Sequence, residues 1–174
     1  MGGAAAAAVI SSFSYMQTRL LVFLDPWKYP DGAGFQTIQS FLAFGAGGVF
    51  GVGLGDGRQK LFYLPEAHTD YIFSVIGEET GLIGVTFVMA LYALFFVSGV
   101  CIAKRAKDLF GTYLALGLTL MITLQAVINM AVVMGALPPK GLPLPFISYG
   151  GTALLVSLFS AGVILNVCIK GNEA

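Results

Sequence analysis

Charged residues are scarce in this sequence. Lys and Arg number 9 and Asp and Glu number 9 among 174 residues, so charged side chains make up only 10% of the chain and the formal net charge is zero. This balance lacks the basic excess that nucleic-acid binding requires, and it gives no bulk attraction to an acidic partner. The two cysteines, Cys101 and Cys168, lie in apolar stretches. We interpret them as small packing residues rather than as a disulfide.

Several familiar catalytic signatures are also missing. The sequence contains no P-loop, no CxxC pair, no HExxH pattern and no GxSxG turn. Nucleotide hydrolysis, dithiol chemistry, zinc proteolysis and serine hydrolysis therefore have no visible support. Any reaction must draw its energy from the substrate itself or from an ion gradient.

Apolar residues are abundant instead. Hydrophobic residues make up 57% of the chain, and the mean hydropathy is +0.85. A soluble domain of this length does not need so much apolar surface. We predict an all-α, polytopic helical membrane protein with three clear spans, one partial span and a large extracytoplasmic loop carrying short helices. The predicted partial span is 2–18, the loop is 19–78, and the clear spans are about 79–103, 109–137 and 146–169.

The basic residues set the orientation. Lys104, Arg105 and Lys107 follow the first clear span within a short loop, which marks the cytoplasmic side. The parity of the spans then places 19–78 and 138–145 together outside. Within the large loop, 33–55 is predicted to be a helix that lies on the membrane surface or dips into it.

A few polar residues need separate interpretation. Arg19 follows the partial span, and we interpret it as an interface anchor. Gln125 and Asn129 lie one turn apart on one face of the second clear span. Interhelical hydrogen bonding explains them better than a transport path does. The prolines of 138–145 indicate a short outer loop.

The acidic residues concentrate between Gly53 and Gly84, beside the only histidine, His68. Helical spacing would put Glu66 and Asp70 on one face, one turn apart. Like charge and poor solvation would raise the pKa of one carboxylate, which could then act as a general base. Alternatively, Thr69 and Asp70 only cap a helix.

Two long motifs resemble one protein family. YLPEAHTDYIFSVIGEETGLIG, from Tyr63 to Gly84, closely resembles the signature of the bacterial SEDS family of shape, elongation, division and sporulation proteins. LPPKGLPLPFISYGGTALL, from Leu137 to Leu155, resembles its last periplasmic loop and last helix. The AHTD form and Lys140 in PPKG are more typical of the division members. Because members of the family are longer, the resemblance implies that the chain corresponds to the C-terminal portion of a single SEDS membrane domain.

The resemblance implies a function. SEDS proteins are peptidoglycan glycosyltransferases that polymerise lipid II, an undecaprenyl-pyrophosphate-linked substrate, at the outer face of the bacterial cytoplasmic membrane. It implies Asp70 as the catalytic residue, and the chemistry predicts a general base in an inverting transfer. It also implies a class B penicillin-binding protein transpeptidase and other division proteins as partners at the septum. No cofactor and no metal site is expected with certainty, and a divalent cation stays open.

Seven further residues are candidates for binding the substrate: Gln59, Lys60, Glu66, His68, Thr69, Lys140 and Ser148. Lys140 could bind phosphate, or it could snorkel towards water from an apolar setting. The residues at 59 and 60 could instead be solvated, and the histidine could be a local hydrogen-bond partner. Two other functions stay open, namely a lipid II flippase and a non-catalytic membrane scaffold of the division machinery.

Overall fold

The computed structural model describes residues 19–30, 33–57 and 69–172. Within these ranges there are four α-helices: α1 Ala33–Gly47, α2 Ile72–Arg105, α3 Leu109–Val133 and α4 Gly151–Asn172. Residues 19–24 are also helical, and a short 3-10 turn follows at Pro26–Lys28. The described residues include no β-strand, which confirms the prediction of an all-α protein.

Three of these helices are suited to a membrane. α2, α3 and α4 are long and apolar enough to cross a bilayer, with mean hydropathies of 2.0 to 2.3 over their most apolar windows. Their outer faces carry large exposed side chains such as Phe87, Leu94 and Phe159. Such surfaces are costly in water and suit an apolar environment. The predicted polytopic membrane architecture is therefore confirmed.

The core forms where α2 and α3 pack together beside the first motif. Its central residues are contributed by the N-cap and the first two-thirds of α2, by α3 and by the segment before α4: Tyr71, Phe73, Val75, Val85, Tyr92, Ala126, Met130, Val133 and Leu144. α1 adds to this end of the molecule, because the buried Ser40 hydroxyl donates 2.7 Å to the carbonyl of Val133 at the end of α3. This core thus includes Tyr71, the residue that follows Asp70.

A kink at Gly81 interrupts α2. This residue has φ 65° and ψ −160°, a conformation that is open to glycine and costly for other residues. The segment after α1 takes up the backbone groups released by the kink through four bonds: Leu82 N to Gly48 O, Ile83 N to Val49 O, Val52 N to Glu78 O and Gly53 N to Glu79 O. The kink therefore forms a paired junction, by which we mean that the backbone groups of α2 around Gly81 hydrogen-bond to the segment after α1.

The helix bounds differ from the predicted ones at several ends. α1 ends at Gly47 rather than near 55, and α3 ends at Val133 rather than near 137. The predicted partial span 2–18 lies outside the described residues, and residues 19–24, which follow it, are helical. α2 begins at Ile72 rather than near 79, so its first turns lie inside the predicted loop. α4 begins at Gly151 rather than near 146, because Phe146 has φ 67° and cannot continue a right-handed helix.

Candidate active site between the two motifs

The segment 138–150 turns back into the helix bundle. Leu144 is 1% exposed, and Pro145 is also fully buried. The amide of Gln125 reaches the carbonyl of Pro143 at 2.9 Å. Gln125 lies eight residues before the end of α3, which is about 12 Å along a helix. The prediction of a simple outer loop was therefore incomplete, because part of the segment packs against the side of α3.

A buried non-helical segment must find partners for its backbone carbonyls. In this segment four consecutive carbonyls are occupied. Asn129 Nδ2 donates to Leu142 O, Gln125 Nε2 donates to Pro143 O, Ile147 N and Ser148 N donate to Leu144 O, and Tyr92 Oη donates to Pro145 O. Prolines at 143 and 145 have no N–H, so they add no unpaired donors. The three side-chain donors come from α2 and α3.

The interpretation of Gln125 and Asn129 as interhelical hydrogen-bonding residues is therefore wrong in its partner. Both amides bond to the carbonyls of the turned-in segment rather than to a neighbouring helix. The second Nδ2 bond of Asn129 goes to the carbonyl of Asp70 at 2.8 Å. A single buried side chain thus connects the two sequence motifs.

Asp70 lies in the turn directly before α2. The N-cap residue of α2 is Tyr71, whose side chain makes no cap hydrogen bond. The Asp70 carboxylate instead lies against Gly141, where a Cβ would come within 2.8 Å of Asp70 Oδ2. Asp70 is therefore not the N-cap residue of α2. Glu66 lies outside the described residues, so the predicted pairing of the two carboxylates stays a prediction.

Ser148 makes a second connection between the motifs. Its hydroxyl donates 2.5 Å to the carbonyl of Thr69 and accepts 2.6 Å from the backbone N–H of Leu144. The side chain is buried. Ser148 thus holds the backbone next to Asp70, and its role in substrate binding stays a prediction.

Tyr71 reports on the electrostatics beside Asp70. Burial raises the pKa of its phenol, the Asp70 carboxylate adds a smaller increase, and a hydrogen bond from the Thr37 side chain and the Arg19 guanidinium oppose the shift. The phenol therefore stays neutral at ordinary pH. Arg19 and Asp70 are both near enough to act on the same group, which places a cation and an anion around one buried ring.

Arg19, Pro139 and Lys140 line a groove of about 500 Å³. Arg19 Nη1 donates 2.6 Å to the carbonyl of Pro139, and Lys140 is exposed at the groove's edge. The wall is largely apolar, with residues such as Ile128 and Val132 from α3. Two cationic side chains beside an apolar wall suit an anionic group that is attached to a hydrocarbon chain.

Four candidate residues, namely Gln59, Lys60, Glu66 and His68, lie outside the described residues. Their predicted substrate contacts remain predictions. Within the described parts of the chain, no group of three or more His, Cys, Asp or Glu side chains could hold a metal ion. The question of a divalent cation is open, because the histidine and one of the paired carboxylates are not among those residues.

Sequence reasoning missed the importance of Arg19, Tyr92, Asn129 and Gly141. The spacing of the polar residues in α3 was visible, but their partners are backbone carbonyls, which every residue carries. The LPLP run did carry a signal, because a buried run rich in proline keeps its carbonyl acceptors and lacks some of its N–H donors. Such a run needs polar side-chain donors from an adjacent helix.

The chain matches a known family over almost its full length. A sequence model of the family described as "Cell cycle protein", which covers FtsW, RodA and SpoVE, matches residues 1–173. A protein of Geobacter sulfurreducens named "Probable peptidoglycan glycosyltransferase FtsW" is 54% identical over 162 residues, which are 93% of this chain and 43% of the relative. The stage V sporulation protein E of Bacillus subtilis is 47% identical over 159 residues, covering 91% of this chain and 43% of that protein.

Solved structures show the same fold. One, described as "Structural coordination of polymerization and crosslinking by a peptidoglycan synthase complex", matches 99% of this chain and 49% of its own chain, with 28% identity and a TM-score of 0.74. The rod shape determining protein RodA of Thermus thermophilus matches 78% of this chain and 41% of its own, with 31% identity and a TM-score of 0.60. The chain therefore spans less than half the length of these relatives.

Proposed function

The chain belongs to the FtsW/RodA/SpoVE family of cell cycle proteins, as its two motifs predicted, and we propose that it carries the catalytic face of a peptidoglycan glycosyltransferase. The substrate is lipid II, and the reaction takes place at the outer face of the cytoplasmic membrane during cell division. The single observation that carries the proposal is the meeting of the two motifs, with the Asp70 carboxylate seated against Gly141 next to Lys140.

The chemistry requires few groups. A sugar hydroxyl of one lipid II attacks the anomeric carbon of another, and the bond from that carbon to the pyrophosphate oxygen breaks. The undecaprenyl pyrophosphate leaves with the electron pair, and Asp70 accepts the hydroxyl proton as general base. Because no covalent sugar–protein intermediate forms, the transfer inverts the anomeric configuration. The leaving group is already activated, so the second carboxylate of a glycoside hydrolase has no counterpart here.

Positive charge is needed where the pyrophosphate departs. Lys140 is exposed beside the seat of Asp70, and Arg19 lies on the same groove, held by its bond to Pro139. We assign Lys140 to the pyrophosphate, with the apolar wall of the groove facing the polyprenyl chain. Thr69 and Ser148 contribute through the backbone that positions Asp70.

Orientation and partners follow from the same assignment. Lys104 and Arg105 at the end of α2 and Lys107 in the turn that follows mark the cytoplasmic side, so the Asp70 site faces outward. The partner is a class B penicillin-binding protein transpeptidase at the septum. The structural neighbour named as a peptidoglycan synthase complex supports a partnership of this kind.

The flippase alternative has less support. A transport path needs polar side chains that face a passage through the bilayer. The side-chain amides of Gln125 and Asn129 instead donate to the turned-in segment. A non-catalytic scaffold would not depend on the carboxylate of Asp70. A single substitution at this residue therefore distinguishes the scaffold function from the enzymatic one.

That substitution is Asp70→Asn, made in the protein expressed from its complete coding sequence. It keeps the size of the side chain and removes the base, so glycan strand formation from purified lipid II should fall by at least about 10²-fold. Glu66→Gln should reduce the rate less. Asp108→Asn is the matched control, because Asp108 caps α3 through Gly111 N and Asn caps equally well. Near-normal product from Asp70→Asn, with membrane insertion unchanged, would leave the scaffold or flippase in front.

A further inference from the structure

Asn129 occupies a singular place among the polar side chains of the spans. It is 1% exposed, in the middle of α3's last turns, and its Nδ2 group donates to two carbonyls that are 72 residues apart in sequence, Asp70 O at 2.8 Å and Leu142 O at 2.5 Å. One amide group therefore fixes the catalytic turn and the turned-in segment relative to each other. Both of its N–H bonds are used in doing so.

The orientation of this amide is determined by its partners. Nδ2 faces two acceptors, and Oδ1 is buried with no donor among the described residues. Leaving a buried acceptor without a donor has a cost. The amide nevertheless keeps this orientation, because a flipped amide would place Oδ1 against the two carbonyl oxygens of Asp70 and Leu142. The geometry is thus specified by the two motifs rather than by α3 itself.

The bond to Leu142 matters because of what precedes it. Leu142 is preceded by Gly141, which the Asp70 carboxylate approaches closely, and Gly141 is preceded by Lys140. A shift of the segment 140–142 relative to Asp70 would therefore change two things: how the carboxylate lies against Gly141 and how far it is from the Lys140 ammonium. By contrast, Gln125 holds the same segment one residue further on, because its amide donates to the carbonyl of Pro143 rather than to the catalytic turn.

We propose that Asn129 is a positioning residue for the glycosyl transfer, which sets the Asp70 carboxylate against Gly141 by holding both backbones. The proposal rests on the assignment of Asp70 as the general base. It goes beyond that assignment because it places a determinant of the rate inside the membrane span, away from substrate. Asn129 contacts no reacting atom, so it acts only through the turn and the segment that it joins.

The test compares Asn129→Leu with Gln125→Leu in the protein expressed from its complete coding sequence. Each variant removes one side-chain amide that holds the turned-in segment, and only Asn129→Leu also removes a hydrogen bond to the carbonyl of Asp70. We expect Asn129→Leu to lower kcat for lipid II polymerisation at least tenfold more than Gln125→Leu, with KM changed by less than threefold. Asn129→Leu should also lower the thermal unfolding midpoint in detergent more than Gln125→Leu does, because it removes two hydrogen bonds rather than one, so kcat is measured below both midpoints.

Equal losses of kcat in the two variants would overturn the proposal, because Asn129 would then only stabilise the segment. If Asn129→Leu does not accumulate in the membrane, Asn129→Ser is assayed and judged by the same comparison. Asp70→Asn separates the two ideas. An inactive Asp70→Asn together with a normal kcat for the Asn129 variant removes the positioning role alone, whereas an active Asp70→Asn removes the proposed function.

Discussion

The carboxylate of Asp70 lies so close to Gly141 that a Cβ at position 141 would be 2.8 Å from Oδ2. These two residues belong to different motifs, separated in sequence by α2 and α3. Glycine is needed here for its lack of a side chain, since no positive φ is involved at this position. The close approach restricts where the carboxylate can lie, which suits a base that must meet one hydroxyl.

Gly141→Ala should therefore impair the reaction while leaving the fold in place. The added methyl group displaces the carboxylate, and a displacement on the order of 1 Å can cost about 10²-fold in rate. We expect a loss between about 10-fold and 100-fold in kcat. Gly117→Ala is the control, because a Cβ there meets nothing within 4 Å. If Gly141→Ala turned over at the wild-type rate, the close approach of the Asp70 carboxylate to Gly141 would have no part in catalysis.

The sequence predicted the parts of this fold that depend on long uninterrupted patterns. Uncharged runs located the bodies of α2, α3 and α4, and the two motifs located Asp70 and Lys140. We did not predict that residues 142–145 turn back along α3, because the bonds that hold them join side chains to backbone carbonyls, which every residue carries, and the proline-rich run was the one signal of buried acceptors. For the same reason the bond from Arg19 to Pro139 was not foreseen.

Gly81→Ala should destabilise the protein. The residue at the kink has φ 65°, and a Cβ would come within 2.4 Å of Gly51 N and 2.6 Å of Val49 O, both of them backbone atoms that cannot move aside. Backbone strain of this kind costs about 1–3 kcal/mol, and the steric clash adds to it. The measurement is thermal unfolding in detergent. Gly45→Ala in α1 is the matched control, because its Cβ meets nothing within 4 Å.

An unchanged unfolding midpoint for Gly81→Ala would mean that α2 can straighten at this position. The bonds from Leu82 and Ile83 to the segment after α1 would then be dispensable. A lowered midpoint with Gly45→Ala unaffected would instead support the paired junction as a fixed feature of the fold.

Lys140 provides the test of the leaving-group assignment. If its ammonium binds the pyrophosphate, Lys140→Gln removes a hydrogen bond between charged groups, which is worth about 1.5–3 kcal/mol, or a factor of roughly 10 to 100 in kcat/KM. Lys140→Arg keeps the charge and should retain most of the activity. Lys104→Gln is the control, since Lys104 is equally exposed and lies at the other end of α2. If Lys140 only snorkels towards water, both glutamine variants should polymerise lipid II at the same rate, and the groove beside Arg19 would lose its assigned ligand.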